Sequence, residues 1–149
     1  MDTTPPPRTR PAPRTARTLA AVLGWSAGAA LLAGCGAPAP RQDAARNAAA
    51  AFERALTASD YAGACELLAP ATREQLEQEE KRSCAEALSG EDLPRGGPVR
   101  GTEVYGRQAM LRLTDDTLFL SQFHGGWKVV AAGCTPRPDR PYQCTLKGE

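Results

Sequence analysis

Midway along the chain the spacing of apolar residues changes. Up to Leu88 they recur at helical spacing, and beyond the polar break from Gly90 to Gly97 they return at every second residue. Helices therefore come first and strands second. Sequential strands of this kind pair as an antiparallel meander, and the apolar face of that sheet has to be covered by the helices, which gives an α+β domain.

The helical half divides at its polar punctuation. From Arg41 to Ser59 the residues Ala45, Ala48, Ala49, Phe52, Ala55 and Leu56 form one stripe, while Arg46, Glu53 and Arg54 fall elsewhere. Asp60 stands at the N-cap position of a second helix, Tyr61 to Leu68, which Pro70 prevents from continuing. Pro70 in turn suits the first turn of a third helix, Ala71 to Glu80. There Leu76 is the main apolar contact, and Glu74, Glu77, Glu79 and Glu80 are expected to face water. Ser83 caps a short fourth helix, Cys84 to Leu88.

In the second half, Val99 to Tyr105 and Gln108 to Leu113 read as strands, the latter with Ala109, Leu111 and Leu113 on one face. Thr114-Asp115-Asp116 reads as a turn into the strand Thr117 to Phe123. His124-Gly125-Gly126 closes a hairpin onto the strand Trp127 to Ala132. Gly133-Cys134 then opens a Pro-rich loop that returns at Cys144. The aromatic residues Tyr105, Phe119, Phe123 and Trp127 are expected in the core, with the lining of a ligand pocket as the alternative.

The N-terminal segment obeys different rules. Arg8, Arg10, Arg14 and Arg17 precede an apolar stretch, Leu19 to Leu32, that is too short and too rich in Gly and Ala for a spanning helix of roughly 20 apolar residues. It has the character of a signal-peptide core. The run that closes it, Leu32-Ala33-Gly34-Cys35, resembles the lipobox of bacterial lipoproteins. That resemblance implies a diacylglycerol on the thiol of Cys35 and cleavage between Gly34 and Cys35. The organisation expected is a lipoprotein signal peptide over 1–34, a lipidated Cys35 with its tether over 35–42, and one globular domain over 43–149. The expected address is the outer face of the cytoplasmic membrane. Gly36 to Pro40 is expected to form an extended spacer of about 15 to 20 Å.

Removing the leader takes four Arg and Asp2, which turns the formal charge of +1 into a small acidic excess. A clustered basic surplus of the kind that binds nucleic acid is not part of this composition. Cys65, Cys84, Cys134 and Cys144 remain, an even number in a chain bound for an oxidising compartment. Four cysteines allow three pairings. Cys65 with Cys84 is favoured because both lie in the helical half, and Cys134 with Cys144 because they bracket one loop. No C-x-x-C is present, and the one His sits in a turn, so neither a metal nor another cofactor is expected.

The pattern Ala51-Phe-x-x-Ala-Leu-x-x-x-Asp-Tyr-x-x-Ala-Cys-x-Leu-Leu-x-Pro70, followed by hairpins that end in Gly126-Trp127-Lys128-Val129-Val130, is similar to the cone-shaped NTF2-like fold. It also resembles small actinobacterial lipoproteins of that kind, over most of Arg41 to Leu146. The resemblance implies helices packed on a C-terminal meander. It leaves function open, because that superfamily includes isomerases, hydratases, cyclases, ligand carriers and domains that only bind proteins.

An acid–base enzyme of this fold needs an inward-facing ionisable group. His124 lies in a Gly-rich turn, Asp115 and Asp116 serve turn chemistry, Asp60 caps a helix beside Tyr61, and no Ser has a His neighbour in a nucleophile pattern. No catalytic residue is therefore expected. The disulfide-bracketed segment Thr135 to Gln143, with Arg137, Arg140 and Tyr142, is the best candidate for a recognition surface, because a covalent bridge lowers the ordering cost of binding; the alternative is that the bridge only stabilises an otherwise floppy end. The expected role is a non-catalytic, lipid-anchored domain that binds a membrane or envelope protein. A carrier of a small apolar ligand is the first alternative, and an isomerase or hydratase the second.

Overall fold

In the computed structural model, Met1 and residues 37–148 are described; residues 2–36, which hold the rest of the expected leader and Cys35, and Glu149 lie outside the described residues. Helix α1 spans Ala39–Thr57 and starts two residues before the apolar stripe suggested. Pro40 fits its first turn, no side chain caps the helix, and Gln42 Nε2 donates to the Ala37 carbonyl at 3.0 Å. The extended spacer expected through Pro40 therefore gives way to helix at Ala39. Ala45, Ala49, Phe52 and Leu56 point into the core at the 4-3-4 spacing of a single helix face.

Asp60 caps α2 (Tyr61–Leu67) by accepting from Gly63 N at 2.9 Å. A Cβ at Gly63 would crowd that carboxylate, so a side chain there would require Asp60 to shift. Helix α3 (Pro70–Glu80) opens on Pro70 and turns Thr72 and Leu76 inward, with Thr72 Oγ1 donating to the Val130 carbonyl at 3.0 Å. Glu77, expected to face water, is instead half-buried and accepts from Cys84 N at 3.1 Å and from Arg73 Nε at 3.3 Å. Helix α4 (Cys84–Gly90) begins at Ser83, whose backbone N and hydroxyl both donate to Glu86. A disulfide between Cys65 and Cys84 joins α2 to α4, as their placement suggested.

The strands β1 (Val99–Tyr105), β2 (Gln108–Leu113), β3 (Thr117–Phe123), β4 (Gly126–Arg137) and β5 (Arg140–Lys147) form one five-stranded sheet in sequence order. Every neighbouring pair is antiparallel, so the meander is present and one strand longer than expected. The Pro-rich segment is not a loop. Cys134 faces Cys144, Thr135 faces Gln143 and Arg137 faces Arg140 across a hairpin that turns at Pro138-Asp139. The strands tolerate Pro136 and Pro141 because β5 is an edge strand, and the tip of β4 runs on past the register of β3.

The helices cover one face of the sheet. Phe52, which is 0% exposed, meets Leu88 of α4 and Leu111, Leu118, Leu120 and Val129 of the sheet in one apolar cluster. A parallel bridge between Leu68 and Val129, with Ala69 N donating to the Val129 carbonyl at 2.7 Å, fixes the α2–α3 junction onto β4.

Candidate functional site

Antiparallel pairing puts the β1–β2 and β3–β4 turns at one end of the sheet and the β2–β3 turn at the other. At the first end the start of α1 is tied to both turns. Arg41 Nη2 donates to the Gly106 carbonyl and, at 2.8 Å, to Gln122 Oε1. Arg107 Nε donates to the Gln122 carbonyl at 3.1 Å, and Gln122 N returns a bond to the Arg107 carbonyl at 2.8 Å. Arg41, Arg107, Gln122, Phe123 and His124 line a cleft of about 390 Å³ there. Trp127 is buried as expected, with the Arg41 guanidinium 5.9 Å from its ring centroid.

Of the four aromatic residues expected in the core, Trp127 alone is in it. Tyr105 is 67% exposed and Phe123 37% exposed. The ladder explains both: Val104 and Ala109 take the inward positions, so Tyr105 and its partner Gln108 face outward, and Phe123 shares that face two residues beyond Ser121, the partner of Gln108. Phe119 is also half-buried on the sheet, where it meets Tyr142 edge-on at 5.1 Å between centroids.

At the other end, β4 and β5 run on beyond the first three strands as a two-stranded arm. Its base is closed by the Cys134–Cys144 disulfide. Beside the bridge sits Asp116, only 8% exposed, whose carboxylate accepts from Thr117 N at 2.6 Å, Cys134 N at 2.8 Å and Gly133 N at 3.0 Å. Burial raises its pKa above the ordinary 3.8, against the lowering effect of those three donors. Asp116 was expected to serve the turn alone. Two of its three partners, Gly133 and Cys134, lie 17 and 18 residues away, and a local reading could not find them. Arg137 and Arg140 are exposed near the tip of the arm, and Tyr142 is half-buried against Phe119.

Glu53 is a second buried carboxyl. One oxygen accepts from Gly96 N at 2.9 Å, and the other is buried without a partner among the described residues. Burial raises its pKa above 4.5; the Gly96 N–H opposes that shift, and the charge of Asp116 adds to it. The available signal was its position one turn after Ala49, at the border of the apolar stripe. Glu53 lines a cleft of about 600 Å³ with Ala50, Arg54, Thr57, Pro98 and Val99. That lining contains no second carboxyl, no histidine, no cysteine and no aromatic ring.

His124 is exposed in the β3–β4 turn, and Asp60 is committed to its cap. Among the described residues no group of three or more His, Cys, Asp or Glu is placed to hold a metal ion. No described helix is long and apolar enough to cross a membrane. No family model matches the chain, and neither a curated protein nor a solved structure matches it.

Proposed function

We propose that this chain is a lipid-anchored extracytoplasmic protein whose NTF2-like domain is non-catalytic and holds a protein or envelope partner near the membrane through the β4–β5 arm. The observation that carries the reading is the arm itself. A disulfide and a buried carboxylate fix its base before any partner arrives, and Arg137 and Arg140 stand exposed near its tip. Preorganisation of this kind lowers the cost of ordering a binding segment.

Two further features support export. The Leu32-Ala33-Gly34-Cys35 run supplies the signal for lipidation, and both remaining cysteine pairs are bonded, which suits an oxidising compartment. The layer between helices and sheet is filled by Phe52, Leu88, Leu111, Leu118 and Leu120, which favours a scaffold over a carrier with an open cone. Glu53 lines its cleft without a second carboxyl, a histidine or a cysteine, which favours binding over acid–base catalysis.

The test is affinity purification of the full-length protein from membranes, beside Cys35→Ser and Arg137→Ser/Arg140→Ser forms. The reading expects a set of proteins recovered with the wild type, depleted with Cys35→Ser and depleted with the double arginine variant. Recovery of the same set with all three contradicts it.

A further inference from the structure

We infer that the sheet end formed by the β1–β2 and β3–β4 turns is a docking surface for an anionic phospholipid bilayer, and that it lies against the membrane while the arm points away. The inference builds on the lipid anchor proposed for Cys35. Its first support is covalent. Cys35 precedes Ala37 by two residues, about 7 Å of fully extended chain. Ala37 leads directly into α1, whose first turn is bonded through Arg41 to both turns of this end. A lipid on Cys35 therefore brings this end within reach of the headgroups. The arm tip is eleven residue steps along β4 from Gly126, about 36 Å at strand rise.

Charge is the second support. Arg41 and Arg107 bond only to carbonyl and amide oxygens, and neither meets a carboxylate in an ion pair among the described residues. On the same sheet face Glu103 is already engaged by Arg112 and by the Tyr105 hydroxyl. The first two turns of α1 carry Arg41 and Arg46 against Asp43. The cations at this end keep their charge for an external anion.

The third support is the pair of outward aromatic rings. Tyr105 and Phe123 are the large apolar side chains left exposed by residues 37–148, and both belong to this end, next to Arg107 and Arg41. Aromatic rings beside basic groups suit the headgroup layer, where ring and cation find apolar and anionic partners at one depth. The surface lacks the long apolar run of an inserted segment, so the rings sit at the interface and do not cross it.

The experiment reconstitutes the full-length protein purified from membranes into vesicles of phosphatidylcholine alone or with 30% phosphatidylglycerol, each containing brominated lipid that quenches tryptophan on contact. Trp is placed at one end by Phe123→Trp or at the arm tip by Pro138→Trp, and the signal of the parent chain is subtracted. Retention on both vesicle types, with quenching at position 123 several-fold greater than at position 138 and enhanced by phosphatidylglycerol, is the expected result. Arg107→Gln should lower that enhancement about fivefold, and Arg107→Lys should restore it. Retention on both with equal quenching at the two positions overturns the docking surface and leaves the anchor standing. Retention on phosphatidylglycerol vesicles alone, with quenching at 123, supports the docking surface and overturns the anchor. Retention on neither overturns both.

Discussion

The two ends of the sheet are held by different means. Where the chain enters, the turns are joined to α1 by the Arg41 and Arg107 guanidiniums, through hydrogen bonds to carbonyl and amide oxygens at the surface. At the arm the connection is a disulfide together with a buried carboxylate that takes three backbone N–H groups. Exposed hydrogen bonds are individually weak and exchange with solvent, whereas a bridge across a ladder confines the chain even when the ladder opens. The entry end is therefore held less tightly than the base of the arm.

The contrast between the ends is tested most strongly at the bridge. Cys134→Ala/Cys144→Ala should lower the unfolding free energy by about 3 kcal/mol and raise hydrogen exchange over 133–144, with the entry turns unchanged. Exchange that rises equally at both ends would break the contrast. Next is Asp116→Ala, which leaves the Thr117, Gly133 and Cys134 N–H groups without their acceptor and should cost about 2 kcal/mol in denaturant titration, even with the bridge intact. A cost near zero would mean that the carboxylate does not hold the arm.

At the entry end, Arg41→Met keeps the side-chain stem and loses the two donated bonds. It should cost no more than about 1 kcal/mol, while exchange rises over 105–108 and 122–126 and the arm is unaffected. The smallest effect is Glu53→Gln. Glu53 and Asp116 both have folded-state pKa values raised by burial, so the folded chain binds more protons than the unfolded one in the window above about 4. Stability should therefore fall as the pH rises from 4 through the raised values. Glu53→Gln removes part of that slope and should stabilise the protein at pH 7 by under about 1 kcal/mol, with no gain at pH 4. Equal effects at both pH values would contradict a proton held by burial.

The helices and the first four strands were legible because period and punctuation agreed there, although β4 runs on to Arg137 beyond the expected Ala132. Asp60, Pro70 and Ser83 start α2, α3 and α4 where their chemistry places them, and Cys65 pairs with Cys84. The fifth strand was hidden by its own composition. Pro136, Pro138, Asp139 and Pro141 are turn and breaker residues, and only the position of β5 at the sheet edge makes them compatible with a ladder. Residue type alone points Tyr105, Phe119 and Phe123 to the core, although the alternation that places Ala109, Leu111 and Leu113 inward puts all three rings on the other face. Asp116 and Glu53 were obscure for a different reason. What buries them comes from segments far along the chain: the base of the arm for Asp116, and Gly96 for Glu53.

Lipidation of Cys35 is tested most directly by the intact mass of the protein purified from membranes. The expected mass is that of a chain beginning at Cys35, carrying a diacylglyceryl group and short of four hydrogens for its two disulfides. A chain that still begins at Met1, or one that starts at Cys35 without acyl mass, would contradict it.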